Sequence, residues 1–419
     1  MSSGADSRLA GGTVLFSHAG TTYEFFQELG LGRNGERVLF ARPRTPSGYR
    51  GKVLVKCVPL PEGAVPEKFQ RARARLEEEV RLAQFLQHPN IARVHGLFEM
   101  KFGEARGLGA VMECVEGFSL NTLLTIAQLR GRYFSEAFVL YVGAEVAAAL
   151  AHAHTRTDDA GNSLGIVNRD INPGCIRLRP SGGVVLTDFG VACSRLQGRL
   201  ATTLPRPPGE VIYASPEALV GAVTDARSDL FSLGLVLLEF ATGRHLYYPG
   251  NLKVEDESPR LSREQSQRVL AAMTTTMDMH LPPFVEDAVQ RAMVFSGKDV
   301  KEAAFGLSTS LRSVFLRLLC REPSSRYPTA AALELELRGQ LARLGPYSAA
   351  YAVKEVETAL FEGGEAMEEL SLLEDEGGIV PAFPSLNQDA IRTEPHPLRS
   401  ADETTTEPGP GGALRLTRH

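Results

Sequence analysis

From Ile166 to Ala192 the chain reads I-V-N-R-D-I-N-P-G-C-I-R-L-R-P-S-G-G-V-V-L-T-D-F-G-V-A. Two acidic residues organise this stretch. Asp170 follows Arg169, and Asp188 opens the tripeptide Asp188-Phe189-Gly190. An Arg-Asp pair and an Asp-Phe-Gly tripeptide are each commonplace. Their order and separation, with Pro173 between them, are not.

The 419 residues suffice for a sizeable core in two or three compact units with tails. Hydrophobic residues at 43% and charged ones at 23% are ordinary globular usage. A net charge of -5 and a pI near 6.1 give no reason to expect nucleic acid as partner. The apolar run Leu230 to Ala241 is interrupted by Ser232, Gly234 and Glu239, and no window reaches the length of a membrane span, so no membrane partner is expected. The N-terminus lacks a basic region followed by an apolar one, and the five cysteines show no C-x-x-C spacing. A cytoplasmic protein with reduced thiols fits this pattern.

Residues 1–22 are small and polar and read as a loose arm. Strand patterns follow at Glu24–Leu29, Val38–Ala41 and Val53–Lys56, separated by turns rich in Gly and Pro. Glu67 to Gln87 is a charged helix with Leu76, Val80, Ala83 and Leu86 on one face, and His88-Pro89-Asn90 ends it. Two more strands are expected at Ala92–Met100 and Gly109–Val115. After Gly117 the pattern turns helical. Ser135 caps a helix to about His154, and Ser228 caps another, Asp229–Thr242, which is apolar nearly all round and ends at Gly243. From Gly345 the chain is acidic and rich in Gly and Pro, and it reads as a mostly disordered tail over 345–419. The expected units are thus an arm (1–22), a strand-rich lobe (23–116), a helical lobe (117–344) and the tail.

Set in this order, the motifs resemble those of the protein kinase family. Gly30-x-Gly32-x-x-Gly35 lies on a strand–turn–strand, though Arg37 intervenes before Val38 as if one residue were inserted. Lys56 ends a V-x-V-K strand, Glu79 lies on the following helix, and Tyr213-Ala-Ser-Pro216-Glu217 precedes Arg227-Ser-Asp229 and Arg326. The chain looks similar to bacterial serine/threonine kinases of the eukaryotic-like type. The resemblance implies an α+β bilobal fold: a small antiparallel β-sheet lobe, a larger mainly helical lobe, and a cleft between them. It implies ATP and Mg²⁺ as cofactors and a protein substrate or signalling partner. Gly30, Gly32, Gly35, Val38, Lys56, Met112, Glu113 and Val115 would then line the nucleotide site. Lys56 would hold the phosphates and be oriented by Glu79, Asp170 would accept the substrate hydroxyl's proton, and Asp188 would bind Mg²⁺. Arg326 would pair with Glu217.

Several positions depart from the family pattern. Cys175 stands at the second metal position with a thiol in place of an amide oxygen, which the hard Mg²⁺ ion disfavours. Asn168 replaces an aromatic ring expected behind Phe189. Asn172 replaces a lysine, removing a charge that would stabilise the transferring phosphoryl group. Leu54 thickens the roof over the base, and Arg177 falls where an apolar floor residue is expected. Two readings follow. One is a serine/threonine kinase of reduced activity. The alternative is a pseudokinase, an interaction module with weak or no nucleotide binding, favoured if Arg177 fills the base slot. Thr202 and Thr203 are candidate phosphorylation sites facing Arg169. The stretch His245 to Ser308, with Met277, Met279, Leu281 and Phe284, is longer than the family's usual equivalent and is a candidate docking surface.

Overall fold

The computed structural model describes residues 9–32, 35–60, 67–102, 105–190, 192–195, 210–247 and 283–375, with a few positions between 263 and 270. Thr202, Thr203, Met277, Met279, Leu281 and the tail from 376 lie outside the described residues, and of Phe284 only the backbone is described. The chain forms two compact units, Met1–Met367 and Glu368–His419.

Seven strands form one antiparallel sheet: β1 (Val14–His18), β2 (Thr21–Leu31), β3 (Arg37–Thr45), β4 (Gly48–Tyr49), β5 (Val53–Leu60), β6 (Val94–Phe102) and β7 (Ala105–Glu113). The order is β1-β2-β3-β5-β7-β6, with β4 paired to β3. Alternation sends Leu39, Val55, Cys57 and Val111 to one face, where they pack with Leu15, Met100 and Phe102. The opposite face offers Val58, Ala110 and Met112 to Leu76 of α1 (Glu67–Ala83). Two irregularities in the β2–β3 pairing, near Phe25 and near Gly30, bring Gly30 opposite Val38 and Leu31 opposite Arg37.

The N-terminal arm expected over 1–22 is corrected from residue 14 onward. Val14–His18 pairs with β2 through the Ala19-Gly20 turn, both residues at positive φ, and Leu15 and Phe16 are buried. The run was too short and too polar at its ends to read as a strand by itself.

Below the sheet, β8 (Phe118–Ser119), β9 (Ile176–Leu178) and β10 (Val184–Leu186) form a small second sheet. Helices α2 (Leu120–Leu129), α3 (Glu136–His154), α4 (Pro216–Leu219) and α5 (Ala226–Thr242) follow, with later helices at Pro283–Val294, Gly297–Ala303, Thr309–Leu318 and Ala330–Leu344. Ser135 caps α3, its hydroxyl accepting from Phe138 N. The cap of α5 is Asp225, whose carboxylate accepts from Arg227 N, and the helix begins earlier than Ser228. Among the described residues α3 is the one helix long and apolar enough to cross a membrane, and it lies in the core of this lobe against α5.

The tail is corrected as well. Ala349–Asp375 is a helix, and Ala352, Val356 and Ala359 are buried against the large lobe. Those positions recur at helical spacing, a period hidden in the sequence by abundant Glu and Gly. Glu355 accepts from Ser135 N at 2.6 Å and from Tyr347 Oη at 3.0 Å, while Glu362 pairs with Arg130 and Arg132.

Candidate active site

Lys56 sits on β5 with its side chain in the cleft, paired in register with Val38 and Ala110. Its Nζ donates to Glu79 Oε1 at 2.8 Å and to Asp188 Oδ1 at 3.0 Å. Burial opposes the lysine's charge, but the Asp188 and Glu79 carboxylates outweigh it and hold the pKa above the ordinary value. Burial likewise raises the pKa of Glu79, against the pull of Lys56. The residues that the resemblance singled out, 132 positions apart at the extreme, therefore meet as one ion cluster.

The loop carrying Asp170 is held from beneath. Asp229, fully buried on α5, accepts from Asn168 N and Arg169 N at 2.8 Å each and meets His154 Nε2 at 2.8 Å. This anchorage accommodates the left-handed backbone of Arg169 (φ 65°), and Asp188 (φ 61°) is left-handed too. Asp170 Oδ1 accepts from Asn172 Nδ2 at 3.0 Å and from Glu210 N at 2.8 Å.

The substituted positions are rebuilt rather than left open. Asn168 is buried, yet its amide donates to Asp188 O at 2.9 Å and its oxygen accepts from Asp170 N at 3.0 Å. It thus ties the two acidic turns directly together. Asn172 accepts from Gly174 N and Cys175 N. The Cys175 thiol donates to Asn172 O at 3.0 Å and lies 3.3 Å from Asp170 O. A buried thiol so engaged is soft and turned to the loop's own backbone, which removes it as a Mg²⁺ ligand. Asp188 does fit one such ion. It is a hard carboxylate, its side chain 41% exposed to the cleft, with Oδ1 fixed by Lys56 and by Gly190 N at 2.8 Å.

Arg177 occupies the expected floor position. The β9–β10 pairing is regular, so Ile176 and Leu178 face the core and Arg177 the other way. Its Nη2 donates to Gly117 O at 2.6 Å, drawing the guanidinium to the end of the segment that joins the lobes. That segment is itself pinned: Glu113 accepts from Arg93 N at 3.1 Å and pairs with Arg179 at 2.6 Å. Met112 and Val115 are buried beside it. Arg179 is a supporting residue that motif reading passed over, and its ion pair with Glu113 reveals it.

Farther down, Arg326 is buried and donates to both oxygens of Glu217 at 2.7 and 2.8 Å. Burial raises the Glu217 pKa, but Arg326 and the Ser228 hydroxyl more than reverse it.

Residues 23–337 match the protein kinase domain family. The chain belongs to the protein kinase family. Among curated relatives, the serine/threonine-protein kinase PknJ of Mycobacterium tuberculosis is 28% identical over 408 residues, 93% of this chain and 53% of the relative. The tyrosine-protein kinase MasK of Myxococcus xanthus is 31% identical over 257 residues, 61% of this chain and 34% of that protein. PknA of Mycobacterium tuberculosis, a serine/threonine kinase, is 34% identical over 200 residues, 46% of this chain and 41% of the relative. This kinase chain therefore spans about half or less of the length of these relatives. Among solved structures, the Mycobacterium tuberculosis PknI kinase domain is similar over 80% of this chain and 100% of that one, with 23% identity and a TM-score of 0.47.

Proposed function

We propose that this chain is an ATP- and Mg²⁺-dependent serine/threonine protein kinase working in a reducing cytoplasm. The observation that carries the reading is the assembled Lys56–Glu79–Asp188 cluster beside an Asp170 held in place from three directions. Each residue has a role that follows from its chemistry. Lys56, kept charged, would neutralise phosphate oxygens. Asp170 would accept the proton of a protein hydroxyl. Asp188 would hold a divalent cation, which when bound neutralises charge developing on the transferring group. Cys175 supplies no second metal position, and Asn172 supplies no cation, so a modest rate is expected. All five cysteines are free, in keeping with reduced thiols.

The pseudokinase reading draws on Leu54, Asn168, Cys175 and Arg177 together, and an Arg177 side chain pointing into the base slot would favour it. The hydrogen bond of Arg177 to Gly117 O ties its head group to the backbone at the end of the segment that joins the lobes, which supports the kinase reading. Thermal unfolding with ATP alone and with ATP plus Mg²⁺ tests the proposal. A Mg²⁺-dependent stabilisation in the wild type, lost in Asp188→Asn, is expected. An unchanged melting temperature at millimolar nucleotide would overturn it.

A further inference from the structure

Nothing in the kinase motifs calls for the helix Ala349–Asp375, yet it grips the large lobe at several points. Glu355 accepts from Ser135 N at 2.6 Å and from Ser135 Oγ at 2.9 Å, which sets an acidic side chain at the positive end of α3. Glu362 pairs with Arg130 at 3.0 Å and with Arg132 at 2.6 Å, just past the end of α2. The Arg130 side chain is itself buried, its guanidinium over the Phe134 ring. Ala352, Val356 and Ala359 are buried at helical spacing. Gly363 comes so close to α2 that a Cβ there would lie 3.1 Å from the Ile126 side chain.

The start of this helix bears on a different place, the turn between β9 and β10. A Cβ on Gly182 would collide with the Ala349 carbonyl, and Gly182 holds a φ of 84° that glycine adopts freely. Tyr141 of α3 touches both sides: its hydroxyl donates to Gly182 O at 3.0 Å, and its ring lies 5.7 Å from that of Tyr347. The turn is tight, with Arg179 N donating to Gly183 O and Gly182 N to Arg179 O, each at 2.8 Å. On its other side Arg179 pairs with Glu113 at 2.6 Å and Arg177 donates to Gly117 O. A Cβ on Gly117 would collide with the Leu178 carbonyl, so β9 lies directly against the segment that joins the lobes. An unbroken line of contacts thus runs from Ala349 through Gly182 and Arg179 to Glu113, and close-packed contacts transmit a displacement rather than absorb it. We propose that the helix Ala349–Asp375 is a strap that positions the nucleotide site, holding the Gly182 turn so that Arg177 and Arg179 fix the joining segment. The inference rests on the kinase reading above and adds to it positioning residues that lie away from the reacting groups.

Hydrogen exchange over residues 111–118 and 349–363, with calorimetric titration of Mg·ATP, tests this in the full chain well below its melting temperature. Two variants free the helix to different degrees: Glu355→Ala with Glu362→Ala, and the same pair with Ala359→Asp at a fully buried position. The graded pair keeps the test readable if the stronger one fails to fold. Arg179→Ala cuts the line at its middle, and Glu365→Gln, exposed on the same helix, is the control. Freeing the helix should speed exchange in 349–363 and, in step with it, in 111–118, and should raise the Mg·ATP Kd about fivefold. Arg179→Ala should raise the Kd alike and speed exchange in 111–118 while 349–363 stays as in wild type. Joined to the freed helix, Arg179→Ala should weaken binding by less than about a further twofold, because both changes act through one contact. Faster exchange in 349–363 with 111–118 and the Kd unchanged would make the helix a passive cover, and the inference falls. Losses that multiply in the combined variant would also overturn it. If no protein binds Mg·ATP while exchange in 111–118 still follows the helix, the kinase reading falls and the strap's hold on the joining segment stands.

Discussion

The Lys56–Glu79–Asp188 cluster and the Asn168–Cys175 turn face the same cleft and have diverged to different degrees. In the cluster every residue the family pattern asks for is present, and an ammonium bridges two carboxylates. In the turn three positions carry other residues, yet the loop is closed by its own hydrogen bonds: Asn168 to Asp188 O, Asn172 to Asp170, and Cys175 to Asn172 O. Charge chemistry tolerates no substitute, because a buried ion without its partner is expensive. A loop's shape can be rebuilt by any small polar side chains that satisfy one another. Departures from a motif therefore weigh differently according to whether the lost residue acted by charge or by shape. Asn172 is the position where both apply: the shape is restored and the lysine's charge is not.

If that distinction holds, the largest stability effect belongs to the cluster. Lys56→Met leaves Glu79 and Asp188 facing each other without a cation and should cost about 3 kcal/mol in urea unfolding at neutral pH. The cost should shrink as pH falls. Burial already raises the Glu79 pKa, and without Lys56 that carboxylate would bind its proton still more tightly folded than unfolded, so the variant regains stability as pH falls toward the ordinary carboxylate range. A loss independent of pH would contradict the assignment.

A second buried carboxylate makes the contrast quantitative. Glu239 on α5 accepts from the Tyr213 hydroxyl at 2.6 Å, and burial lifts its pKa to about 7, with the Glu210 charge adding to the rise. The folded state thus keeps a proton that the unfolded state releases near 4.5. The resulting stability is full below that value and is lost as pH rises toward about 7. Glu239→Gln should abolish this slope and be more stable than wild type at pH 8 by about 1–3 kcal/mol. Thermal melts from pH 4 to 8 read it out. The smallest effect is expected in the turn: Cys175→Ala should cost about 1 kcal/mol for its lost hydrogen bonds and leave Mg²⁺-dependent ATP binding unchanged. A loss of that binding would make the thiol a ligand after all.

Much of the cluster was legible because its residues sit in motifs that resemble a known family. Lys56 after V-x-V, Glu79 on the next helix and Asp188 before Phe189-Gly190 were found that way, and the Lys56–Glu79 pair forms, while the contact of Lys56 with Asp188 was not foreseen. The Glu217–Arg326 pair, 109 residues apart, was legible only through the resemblance. What escaped has physical reasons. The Val14–His18 strand and the Ala349–Asp375 helix are stabilised by burial against distant partners, which composition does not report. The direction of the Cys175 thiol and the reach of Arg177 to Gly117 are rotamer choices, set by neighbours rather than by sequence position.

The central claim is that the retained charges suffice for phosphoryl transfer. Transfer of the γ-phosphoryl group from Mg·ATP to mixed serine, threonine and tyrosine peptides, by wild type and Asp170→Asn prepared identically, tests it most directly. The account predicts serine or threonine phosphorylation by the wild type, reduced about 10³-fold in Asp170→Asn at similar nucleotide affinity. Equal signals from the two proteins, or none from the wild type at saturating Mg·ATP, would contradict it.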